Sequence, residues 1–169
     1  MKKFVFPLVL ALLFSGCSLF KKTSSTVSYP ADCSVLELDL QKGTLNGIRP
    51  SDKRELIKDR FNCFTGETED GSAFNCGGGI FFLDHDFYFY THRDYLEVRS
   101  SFIGNATPNI MGASVDEVKD KFGEPQKIIK ENTWLYKMPY GTLRVKFASK
   151  RVIELAIHSD KPENVELCE

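Results

Sequence analysis

Hydrophobic positions change their period along this chain, and the changes mark its elements. From Met111 to Pro125, Met111, Val115, Val118 and Phe122 recur at helical spacing. Ser114 and Glu117 stand at capping-box spacing, Gly123 supplies a left-handed stop, and Pro125 forbids continuation. After a polar loop the period becomes alternating. Trp134, Tyr136 and Met138 share one side, Pro139-Tyr140-Gly141 turns the chain, and Leu143, Val145 and Phe147 alternate with Arg144 and Lys146. Ala148 to Arg151 forms a second turn before Ile153, Leu155 and Ile157. The pattern predicts one helix followed by a three-stranded antiparallel meander with one buried face.

Residues 45–106 carry a fainter version of the same order. Asp52 and Glu55 have capping-box spacing, Ile57 and Phe61 lie one helical turn apart, and Asn62 is a plausible stop. Then follow Ile80 to Leu83, a turn at Asp84-His85-Asp86, the run Phe87-Tyr88-Phe89-Tyr90, a turn at Thr91 to Asp94, and Tyr95 to Val98. The expected fold class is therefore α+β. The helix-plus-meander unit is duplicated, the two sheets join edge to edge, and the helices pack on one face. Two unrelated halves are the alternative. Upstream, Val35, Leu36, Leu38 and Leu40 suit either a short strand or a helix.

The second unit resembles a known family. The order Ser114…Val118…Gly123-x-Pro125, Trp134-x-Tyr136, Leu143-x-Val145-x-Phe147 and Val152…Ile157 is similar to the SmpA/OmlA (BamE-like) domain of small outer-membrane lipoproteins. Its fold is shared with the β-lactamase inhibitor proteins, which resemble the tandem plan and bind a protein through the exposed sheet face. The resemblance implies a scaffold role in outer-membrane assembly, with the β-barrel assembly machinery as the typical partner.

The N-terminus changes the picture of location. Lys2 and Lys3, an apolar run from Phe4 to Phe14 and small residues before Cys17 read as a secretory signal, too short to span a membrane. Phe14-Ser15-Gly16-Cys17 resembles a bacterial lipobox, which is cut before a cysteine that becomes lipidated. Ser18 after that cysteine implies the outer membrane, with the soluble body in the periplasm. The expected organisation is a signal peptide at 1–16, a lipidated tether at 17–32, a first half at 33–106 and a second half at 107–169. Removing residues 1–16 takes away two lysines, so the formal charge of −1 becomes −3. No charge excess steers the chain toward nucleic acid. Besides Cys17, the cysteines are Cys33, Cys63, Cys76 and Cys168, an even set suited to an oxidising compartment. Three pairings exist. Cys63 with Cys76 and Cys33 with Cys168 are favoured, closing a short loop and tying the two ends together. A zinc site lacks paired cysteine spacing.

Candidate chemistry is sparse. In a strand, Phe87 and Phe89 face one side while Tyr88 and Tyr90 face the other, where amphipathic rings suit protein contact. Tyr140, Arg144, Lys146 and Glu154 extend this candidate partner-binding face. The competing reading covers all four aromatics with another segment. Asp84, His85, Asp86, His92 and Asp94 include metal-ligand types but fall in expected turns, where Asp bonds its own backbone. Gly77-Gly78-Gly79 precedes a strand, so no helix N-terminus is present to cradle phosphate. No nucleophile motif, metal site or cofactor is expected. The expectation is a non-catalytic envelope lipoprotein that binds a protein partner. An inhibitor or immunity-type protein that blocks an enzyme through its sheet face is the alternative.

Overall fold

The structure, a computed structural model, describes residues 32–69 and 77–167. The expected signal peptide, Cys17, the expected tether up to residue 31, Cys76 and Cys168 lie outside the described residues. The strands are β1 (Glu37–Asp39), β2 (Thr44–Leu45), β3 (Gly66–Thr68), β4 (Gly79–Phe82), β5 (Phe87–Tyr90), β6 (Tyr95–Arg99), β7 (Asn105–Thr107), β8 (Lys127–Ile129), β9 (Thr133–Met138), β10 (Gly141–Ala148) and β11 (Arg151–His158). Among the described residues, two short helices, α1 (Arg54–Arg60) and α2 (Val115–Phe122), complete the set with a single 3₁₀ turn at Leu83–His85.

Eight strands form one antiparallel sheet in the order β3-β4-β5-β6-β11-β10-β9-β8. β6 meets β11 through pairs running from Tyr95↔His158 to Arg99↔Glu154. A second sheet, β2-β1-β7, combines an antiparallel and a parallel pairing. Leu36, Leu38, Leu40, Leu45 and Ile48 from this second sheet's region join the same buried cluster as the large sheet's inward side chains.

The expected fold class does not hold. The protein is mostly β, and its unit is not a helix with a three-stranded meander on which helices pack. Each of the two helices has one fully buried side chain, Ile57 in α1 and Val118 in α2, so the sheets carry the structure. The physical reason lies in helix length. Seven and eight residues give barely two turns, too little apolar stripe to cover a broad sheet. The segments read as loops before each meander also contribute β3 and β8, pairing backbone groups that would otherwise be exposed at the sheet edges.

Local signals act where tertiary demands permit. Ser114 accepts a hydrogen bond from the Glu117 N–H, while the Glu117 carboxylate accepts one from the Ser114 N–H at 2.7 Å, completing the capping box. The first helix departs from its expected cap. Lys53 occupies the cap position without a side-chain bond, and Asp52 accepts from the Arg49 N–H instead. Phe61, just past α1, is fully buried against the rings of Phe82, Phe87 and Phe89. In β11 a register shift opposite Lys146 and Phe147 changes the expected alternation, so Val152 enters the core and Ile153 stays partly exposed.

The disulfide pairing is also corrected. Cys33 is bonded to Cys63, which excludes both Cys63 with Cys76 and Cys33 with Cys168. The bond ties the start of the described chain to the segment after α1 across 30 residues of sequence. On the chain-entropy model that loop stabilises by about 3–4 kcal/mol. Cys33→Ser is expected to lower the unfolding free energy by about that amount in urea titration. A non-reducing digest of the wild type is expected to yield one peptide pair linking Cys33 to Cys63.

Candidate outer sheet face

The face of the large sheet away from the aromatic core is built by alternation along β5, β6, β10 and β11. It carries a row of stacked rings and a row of alternating charges. In the first row Tyr90 stacks on Tyr95 at 4.4 Å between centroids, and Tyr95 stacks on His158 at 4.7 Å. Cross-strand register sets this ladder, since Tyr90 pairs with Tyr95 and Tyr95 with His158.

The charged row reads Arg99, Glu97, Arg144, Glu154, Lys146. Glu97 accepts from Arg99 at 2.7 Å and from Arg144 at 2.7 Å. Glu154 accepts from the same Arg144 Nη2 at 2.9 Å and from Lys146 at 3.4 Å. The outer members, Arg99 and Lys146, have side chains 43% and 42% exposed, whereas Arg144 is only 5% exposed. The ends are wet and the centre is dry. Ala156 on β11 is the register partner of both Glu97 and Arg144, and its small side chain leaves room for those two to meet across the strand.

Burying a charge costs several kcal/mol unless partners replace water. Here Arg144 has a carboxylate on each side, but its Nε has no hydrogen-bond partner among the described residues. Arg144 also lies over the Tyr95 ring at 5.5 Å, and Arg99 lies over Tyr88 at 4.3 Å. Burial works against the Arg99 charge, but the Glu97 carboxylate more than offsets it, raising the Arg99 pKa. Burial lifts Tyr90 to about 12, so its hydroxyl stays protonated at neutral pH. His158 behaves oppositely. Burial, aided by the Arg144 charge, pushes it down to about 3, so its ring is neutral.

Between these rows lies a cleft of about 320 Å³. Tyr90, Tyr95, Glu97, Arg144 and Lys146 line it, and Leu167 of the C-terminal segment reaches its rim. That segment is held over the sheet by a hydrogen bond from Thr142 Oγ1 to the Asp160 carbonyl, 2.7 Å, and by Arg93 with Glu166, 3.4 Å.

Of the sequence-predicted partner-binding residues, Tyr90, Arg144 and Lys146 meet at this cleft. Tyr88 shares the face but is 8% exposed, and its hydroxyl donates to Asp86 at 3.1 Å. Tyr140 is elsewhere. Its ring lies on Gly43, where a Cβ would come within 2.4 Å, and its hydroxyl donates to the Leu40 carbonyl at 3.0 Å. It joins the two sheets rather than extending the outer face. The metal-type residues stand in turns, with Asp86 and Asp94 at positive φ. Among the described residues no group of three or more His, Cys, Asp or Glu side chains is placed to hold a metal. Sequence reading did not single out Glu97, Tyr95 and His158 for this face. Their signal was cross-strand pairing: a four-residue turn after Tyr90 sets Tyr95 opposite Tyr90 and Glu97 opposite Tyr88, and His158 pairs with Tyr95 in turn.

Comparison with family models, with curated proteins and with solved structures finds no match. The site therefore stands on its own geometry.

Two outcomes follow from that geometry. Arg144→Met leaves two buried carboxylates without their shared cation, and urea unfolding is expected to show a loss of about 3–5 kcal/mol. His158 is neutral when folded and binds a proton when unfolded below about pH 6.5. Its contribution is therefore fully present above that pH and lost as pH falls toward about 3. Stability is expected to decline by roughly 1 kcal/mol per pH unit on acidification from about pH 6.5 to about 3. His158→Gln is expected to flatten that slope in unfolding measured at successive pH values.

Proposed function

We propose that this chain is a lipid-anchored bacterial envelope protein that holds a protein partner on the outer face of its eight-stranded sheet. The cleft beside Arg144 carries this reading. It joins a rigid stack of tyrosines, with Tyr90 partly exposed, to a charged row whose ends, Arg99 and Lys146, are open to solvent, and tyrosine and arginine are residue types that anchor protein interfaces. Its walls bear the cations Arg99, Arg144 and Lys146 against the two carboxylates Glu97 and Glu154. A partner loop that offers a carboxylate beside an apolar or aromatic side chain suits that balance.

The lipid anchor at Cys17 is supported by the signal-like segment before it and by the lipobox-like Phe14-Ser15-Gly16-Cys17. Barrel-assembly components are the first candidates as partner, through the resemblance of the second half. The role is that of a scaffold, and the proposal contains no catalytic step.

Co-purification of the full-length protein from native membranes, with partners identified by mass spectrometry, tests this. Paired Tyr90→Ser and Lys146→Glu substitutions alter the exposed part of the cleft and leave Arg144 in place. They are expected to reduce recovery of the partner about tenfold or more, as loss of an interface hot spot does. Unchanged recovery with an unchanged unfolding midpoint would remove the cleft from the interface. Recovery of one soluble hydrolase, inhibited by the protein without its lipid, would replace the scaffold role with inhibition.

A further inference from the structure

The strand ends gather four loops at one end of the large sheet: residues 83–86, 100–104, 130–132 and 149–150. Exposed aliphatic side chains concentrate on the part of this end next to β1. Leu83 is 61% exposed, Ile103 65% and Val35 43%. None of the three sits on a loosely held stretch. Asp86 ties the two loops together, accepting from the Ser101 N–H at 3.0 Å through its carboxylate and from the Arg99 N–H at 3.0 Å through its carbonyl. The Ile103 N–H donates to the His85 carbonyl at 3.4 Å, and Asn105 donates to the Leu36 carbonyl at 2.8 Å. Asn46 holds the Val35 carbonyl from the other side at 2.8 Å. A built framework thus presents apolar groups to the outside, which marks a contact surface more strongly than scattered exposure does.

The same end is where the chain from the N-terminus arrives. Cys33 is bonded to Cys63, and Thr65, two residues on, accepts a hydrogen bond from the Leu83 N–H at 2.9 Å. Asp32 therefore enters the fold beside Leu83. Cys17 lies fifteen residues before Asp32, within about 50 Å even if the segment were fully extended.

We infer that this end rests on a lipid bilayer, with Leu83, Ile103 and Val35 entering the interfacial region. The inference rests on the lipid anchor proposed above, because the anchor places a bilayer within reach of this end. Burial in the interface removes the three side chains from water, and the tether converts a weak surface contact into a local one. Charges here carry both signs, with Asp84 and Glu131 beside Lys130 and Lys150. The contact is apolar in origin and persists when salt is raised.

The test uses the lipidated full-length protein in phosphatidylethanolamine and phosphatidylglycerol vesicles that also contain phosphatidylcholine brominated on its acyl chain. Trp134 is the sole tryptophan, only 7% exposed, and provides the baseline emission. Leu83→Trp and Ile103→Trp each add a reporter at the proposed contact. Leu56→Trp adds one on α1, a helix whose Arg54 reaches Thr91 at the opposite end of the sheet. After subtraction of the baseline, bromolipid is expected to quench the first two at least about twofold more than the third, equally at low and high salt. Equal quenching of all three, with the protein still floating with the vesicles and Cys17 still carrying acyl mass, would overturn the inference and leave the anchor standing. A free Cys17 thiol in the membrane-purified protein would remove the anchor, and the inference with it.

Discussion

The pairing of β6 with β11 is the contact on which this structure depends. Without it, two four-stranded meanders would each present an unpaired edge of backbone N–H and C=O groups, an open template for other chains. With it, the two edges satisfy one another from Tyr95↔His158 to Arg99↔Glu154, and a single core extends beneath both. The charged row crosses the same seam. Glu97 comes from β6, Glu154 from β11 and Arg144 from β10, so the ion pairs are in register only if the seam is. A slip by one residue would turn every one of these side chains to the opposite face.

That dependence explains why a buried guanidinium is tolerated. An ion pair moved out of water gains little net stability, but one left with a single partner is costly. Arg144 between two carboxylates therefore penalises any alternative register more than it strengthens the native one. The rings beside it contribute in another way. Tyr90, Tyr95 and His158 form a stack that excludes water and holds the cleft wall rigid. The core face is organised differently, around Phe61 and the phenylalanines of β4 and β5, where packing alone decides.

The proposed surfaces draw on different apolar and aromatic side chains and adjoin at the loop of residues 130–132, whose Lys130 and Asn132 line the cleft. The apolar loops lie beyond the strand ends, whereas the cleft opens on the sheet face, bordered by Leu167. With the loop end on a bilayer, the strands would stand away from it and leave the cleft open to a partner from the side. The disulfide between Cys33 and Cys63 fixes the start of the described chain to the body, so an orientation set at the proposed bilayer contact would reach the whole sheet.

Local interactions made much of the chain legible. The capping box at Ser114 and Glu117, the helix stop at Gly123 and the strand runs at 87–90, 95–98 and 143–147 all appear where their residue types place them. These signals operate within a few residues, so the sequence by itself determined them. The remainder depended on segments far apart in the chain. Parity along β10 placed Arg144 opposite the core, but only its distant neighbours Glu97 and Glu154 made that position dry. Tyr140 read as a surface ring until Gly43 came beneath it. Val152 replaced Ile153 in the core because a bulge changed the phase of β11, and Cys63 met Cys33 because folding, not loop length, set which sulfurs were close. Most of all, the short helices could not cover the sheet, so strand pairing across the two halves decided the fold class. Tertiary structure decided these features because burial and register are properties of the assembled sheet, and no single stretch of residues contains them.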